Sequence, residues 1–123
     1  MSTKTIQQLH SEHTSWLHEL DFVHDELICL RDEISMVNCK AGDLVCLTKF
    51  EWYLKVLSKE LKELLKLRTA INEHEEYLAK QAHKGLHLEL DHRKEELDIV
   101  KFLENFRVLR LNIKSFLGRT LAT

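Results

Sequence analysis

The sequence predicts an all-α protein, folded as an antiparallel three-helix bundle with coiled-coil-like heptad stripes. Three observations carry that reading. The 123 residues contain no proline and only three glycines, so almost nothing interrupts a helix. Apolar residues recur at alternating steps of three and four, the helical period close to a heptad. The glycine-containing breaks are short, which makes consecutive helices antiparallel neighbours in a single domain spanning 1–123.

The first predicted helix covers about 3–38, with Ile6, Leu9, His13, Trp16, Leu20, Val23, Leu27, Leu30, Ile34 and Val37 on one stripe. Asn38 to Asp43 then reads as a turn around Gly42, with Asp43 placed to cap the next helix. The second helix covers about 43–82, its stripe running Leu47, Phe50, Leu54, Leu57, Leu61, Leu64, Arg68, Ile71, Glu75 and Leu78. A second turn falls at His83-Lys84-Gly85-Leu86. The third helix covers about 88–119 through Leu88, His92, Glu95, Ile99, Phe102, Phe106, Leu109, Ile113 and Phe116. It also carries Leu97, Val100, Val108 and Leu111 away from that stripe. This second strip either widens the core or faces a partner.

Composition narrows the function classes. Hydrophobic residues make 44% and charged residues 31%, the balance of a folded domain rather than a disordered or membrane-embedded chain. Basic and acidic residues number 18 and 20 in mixture, which argues against nucleic-acid binding. No apolar run is long enough to span a bilayer, and residues 1–20 lack the apolar region of a secretory leader, so the expected setting is cytoplasmic. Three cysteines without a C-x-x-C pair fit that compartment. Cys39 and Cys46 flank a turn where they can meet, but reduced, buried thiols are the expectation. Nothing resembles a nucleophile–base pair, a phosphate-binding glycine loop or a zincin motif, so a non-enzymatic protein is expected.

Five stripe positions are polar: His13, Arg68, Glu75, His92 and Glu95. In an antiparallel bundle they fall at one end, while Leu27, Leu30, Leu54, Leu57, Ile113 and Phe116 fill the other. Burying such groups unpaired is costly, on the order of 3–5 kcal/mol for a broken buried ion pair. They therefore satisfy one another, bind something or reach water. A polar network that sets helix register, with Arg68 in its layer, is one reading. A metal site is the second, because two imidazoles and two carboxylates from facing helices are the donor mix of carboxylate-bridged iron or manganese bundles. His74 or Asp91 is a further candidate ligand. A small-molecule or haem pocket anchored by His13 or His92 is the third.

The chain resembles a family of small all-helical proteins of Bacteroidetes bacteria. The motifs are Glu12-His13-x-x-Trp16, Glu19-Leu20-x-Phe22-x-x-Asp25-Glu26, His74-Glu75, Asp91-His92-x-x-Glu95 and Phe102-x-x-Asn105-Phe106, which together span most of the chain. The family often has histidine where this chain has Trp52, so no role carries over to that position. The resemblance implies a bacterial source and a cytoplasmic setting and carries no mechanism. The expected function is thus a helical bundle acting through protein contacts, self-associating through Leu97, Val100, Val108 and Leu111, without cofactor. The alternative is a metal-binding bundle, iron or manganese in type, with its site at the polar end.

Overall fold

The computed structural model describes the backbone of residues 4–80 and 85–121, and the side chains of 4–80 and 92–120. Three helices account for nearly all of it: α1 (Ile6–Ser35), α2 (Leu44–Lys80) and α3 (Gly85–Leu121). The predicted turn at His83-Lys84 lies outside the described residues, as does the Asp91 side chain. Gly85, assigned to that turn from the sequence, is the first residue of α3.

Local chemistry sets the helix ends. Thr5 opens α1 with a capping box: its Oγ1 accepts from Gln8 N at 3.1 Å and Gln8 Oε1 accepts from Thr5 N at 2.8 Å. The chain leaves α1 at Met36, and Val37 stays buried beyond the helix end. Gly42 then takes φ +84°, a left-handed conformation that a side chain would strain. Asp43 caps α2 as expected, its Oδ1 accepting from Cys46 N at 3.1 Å. A disulfide between Cys39 and Cys46 closes this corner, which overturns the expectation of free thiols there. The turn geometry brings the two Cα atoms to 5.7 Å, within ordinary disulfide range. The remaining thiol, Cys29, is exposed rather than buried.

Side-chain pairs give the helix directions. His13 near the start of α1 meets Glu75 near the end of α2 and His92 near the start of α3. Glu26 and Glu33, late in α1, meet Arg110 and Lys114, late in α3. Hence α1 and α3 run together and α2 runs against both, and every helix pair is in contact. Leu20, Leu27, Leu30 and Ile34 close on Leu57, Leu64, Ile71, Ile99 and Ile113 as one core. Each such side chain contributes roughly 1.5–3 kcal/mol on burial. Among the described residues no helix is long and apolar enough to cross a membrane.

Half of the α2 seam follows the sequence reading, with Leu57, Leu64, Ile71 and Leu78 buried, while at alternate positions burial falls one residue earlier. Cys46, Tyr53 and His74 are buried, whereas Leu47 is exposed and Leu54 and Glu75 are only half-buried. Two neighbouring helices press on α2, so its buried arc centres between them rather than on the strongest heptad phase. Arg68 also leaves the core layer assigned to it: it is half-buried and pairs at the α1–α2 edge with exposed Asp21. Its long stem lets the guanidinium reach the surface, which avoids the desolvation that a buried charge incurs.

Candidate metal centre

Three histidines, one from each helix, converge at the polar end of the core. His13, His74 and His92 are 0%, 8% and 1% exposed. One nitrogen from each lies within 4.8 Å of the other two. The ring of His13 stands 5.0 Å from that of His74 and 4.9 Å from that of His92, centre to centre. Trp16, one turn after His13 on α1, stacks on His92 at 4.7 Å and closes one side.

A carboxylate holds each ring. His13 Nδ1 lies 2.5 Å from Glu75 Oε1. His74 Nδ1 lies 2.8 Å from Glu95 Oε2. His92 Nε2 is bonded to Glu12 Oε2. An ionised carboxylate only accepts, so in each pair the ring N–H donates. In a neutral ring so held the lone pair sits on the opposite nitrogen: Nε2 of His13, Nε2 of His74 and Nδ1 of His92. Carboxylate-tethered imidazoles of this kind are the usual surroundings of a bound metal, the carboxylate setting tautomer, ring orientation and basicity.

The inner geometry depends on those tautomers. His13 Nε2 and His92 Nδ1 are 3.1 Å apart. One proton between them makes this a hydrogen bond from one ring to the other, and in its place a metal ion can be shared by both nitrogens. Two nitrogens bound at ~2.0–2.1 Å to one tetrahedral ion stand about 3.3 Å apart, so the spacing suits a shared metal. Glu95 Oε1 lies 3.5 Å from His13 Nε2, so the carboxylate that holds His74 also reaches the inner face of the site.

The electrostatics favour a cation as well. Glu12, Glu75 and Glu95 bring three carboxylates to the cluster. Lys4, just before α1, sits 2.7 Å from Glu12 and 3.7 Å from Glu96, and His10 shares Glu75 at 2.6 Å. Burial pushes the His13 imidazole below its ordinary value, against the pull of Glu75, which keeps the ring neutral and able to bind a metal. Burial works to raise the Glu75 carboxyl, but hydrogen bonds from His10 and His13 outweigh it and hold it low. Glu12 behaves likewise under Lys4 and His92. A second group, Glu12, His92 and Glu96, lies next to the first and shares His92 with it.

Of the residues singled out from sequence, His13, His74, His92 and Glu95 come together at the inner face. Glu75 belongs to the same cluster but stands outside it, against the far nitrogen of His13. His74 turns inward because α2 presents the residue before Glu75 to the core. Lys4 carried no signal, since it lies before Ile6, the first residue of the α1 stripe. Compared with protein-family models, curated proteins and solved structures, the chain matches none. Fold and site together define an all-α three-helix bundle with a buried histidine cluster held by carboxylates, able in its geometry to hold a metal.

Proposed function

We propose that this protein is a metal-binding three-helix bundle whose ion is held by His13, His74 and His92, with Glu95 as a fourth donor. The observation that carries the reading is the convergence of three buried rings, one nitrogen from each within 4.8 Å of the other two, with a carboxylate on every ring. A network serving only helix register has no need to bring three buried imidazoles, one from each helix, within reach of a single ion. Imidazole-dominated donors suit zinc, iron, copper or nickel better than manganese, which prefers oxygen. Iron therefore stays from the sequence-based alternative, zinc joins it and manganese drops out.

The ion would join all three helices at the end where the core is polar. Its binding free energy then becomes folding free energy for that end, as in other proteins whose sites are assembled by the fold. The near-complete burial of the three rings supports an ion that is retained, so the role proposed is structural or regulatory, with no catalytic step. The Cys39–Cys46 bridge favours an oxidising compartment over the cytoplasmic setting expected from the sequence.

The test is elemental analysis of protein purified without chelator, followed by titration of the stripped protein with Co²⁺ and Zn²⁺. The expected result is near-stoichiometric metal, a visible Co²⁺ ligand-field spectrum and a raised thermal midpoint. The variants His74→Gln and His92→Ala should lose the metal while keeping their helical circular-dichroism signal. Wild-type protein that purifies without metal and binds neither ion at micromolar concentration overturns the proposal.

A further inference from the structure

Helix α3 is apolar on two opposite faces. One face packs in the core through Phe102, Phe106, Leu109 and Ile113. Leu97, Val100, Val108 and Leu111 are exposed by 65%, 45%, 58% and 63%. At ~100° per residue these four, with Glu104 at their centre, fall within an arc of about 80° directly across the helix from the core arc. The strip therefore cannot widen the core, and of the two readings open from the sequence only the covered face is left.

The strip is a palindrome about Glu104. Val100 and Val108 lie at equal separations on either side of it, and so do Leu97 and Leu111. A two-fold axis through Glu104, with α3 of two molecules packed antiparallel, sets each apolar residue against its own kind. Leu97 then meets the partner's Leu111, and Val100 meets the partner's Val108. An isologous interface requires this self-complementarity, and a strip shaped for a foreign protein does not. Charge completes it. Lys101 and Arg107 are exposed about 4.5 Å along the helix on either side of Glu104. In the antiparallel pair the two Glu104 carboxylates meet across the axis, and each also lies between the partner's Lys101 and the partner's Arg107, which offset their repulsion. A polar residue at the centre of an apolar helix seam sets its register.

From this pattern we infer that the protein forms a symmetric homodimer in which the outer faces of two α3 helices pair antiparallel about Glu104. The inference is independent of the metal centre, which lies on the opposite, core-facing side of α3.

Sedimentation equilibrium over micromolar to sub-millimolar concentration should approach twice the 14.6 kDa chain mass. The double variant Val100→Glu/Val108→Glu alters only exposed positions, so it should retain its helical signal and its thermal midpoint while its apparent mass falls by half. Register is read by cross-linking in a Cys29→Ser background. Glu104→Cys lies on the axis and should form an intermolecular disulfide on mild oxidation. Arg93→Cys should not, since antiparallel pairing separates the two copies of that position by about 33 Å along the helix. A monomer throughout the concentration range overturns the inference. So does a dimer that survives the double glutamate variant, or Arg93→Cys linking as readily as Glu104→Cys.

Discussion

His13 and Glu75 meet across the α1–α2 seam, His13 Nδ1 lying 2.5 Å from Glu75 Oε1, and this contact decides which nitrogen of a fully buried ring faces the centre of the bundle. Glu75→Gln keeps the shape and removes the charge. It should lower metal affinity by roughly 10–100-fold, as loss of an outer carboxylate does at other histidine-ligated ions. Chelator competition on the folded variant measures this. An unchanged affinity would show that Glu75 only links the helices.

The apolar part of the core should act separately. Leu57 is fully buried, about 27 Å along α2 from Glu75. Leu57→Ala should cost about 2–5 kcal/mol in urea unfolding, through lost transfer energy and the cavity left behind. Metal stoichiometry of the folded variant should stay at the wild-type value. Loss of the metal along with the stability would mean that the centre depends on the whole bundle.

Acid should destabilise the metal-free protein in two windows. His13 titrates below its ordinary 6.5 in the fold, because burial disfavours the charged ring. Between that lowered value and 6.5 the unfolded chain binds more protons, so stability falls as pH drops below 6.5. Glu75 and Glu12 are held below their ordinary 4.5, burial being outweighed by the hydrogen bonds they accept. Their contribution is complete above 4.5 and is lost as pH falls through their lowered values. Urea midpoints from pH 8 to 3 should therefore decline first below 6.5 and again below 4.5. A flat profile between 6.5 and 5 would contradict the neutral, buried state of His13.

Alkylation tests the corner between α1 and α2. Native protein should label at one thiol, Cys29, and at three only after reduction. The bridge closes a short loop, with the two cysteines seven residues apart. Reducing it should cost about 2–3 kcal/mol by loop-closure entropy. Three reactive thiols in unreduced, folded protein would show that the bridge does not form.

Much of this fold was legible because helical burial repeats. Each apolar residue of a long helix is predicted by its neighbours three and four places away, and with no proline to break the count the phase holds over thirty residues. The Gly42 turn and the Asp43 cap were legible for a different reason, since each is local chemistry. The strip on α3 was visible as a pattern, but whether it joined the core was not, because that depends on where the partner helices lie.

The site was legible as an inventory and not as an arrangement. His13, His92, Glu75 and Glu95 occupy stripe positions, so their convergence at one end could be read from antiparallel packing. Which of them face the centre could not. At alternate positions the buried residue of α2 comes one place earlier, which turns His74 inward and sends Glu75 to the far nitrogen of His13. Arg68 escapes to Asp21 because its stem is long enough, and Cys39 reaches Cys46 because the turn at Gly42 folds that way. The sequence by itself determined three helices, their phases and the polar end of the bundle, because those are periodic or local properties of the chain. Only the tertiary structure decided the roles of the histidines and carboxylates, because presenting His74 rather than Glu75 to the core changes no pattern in the sequence and exchanges the inner and outer groups of the site.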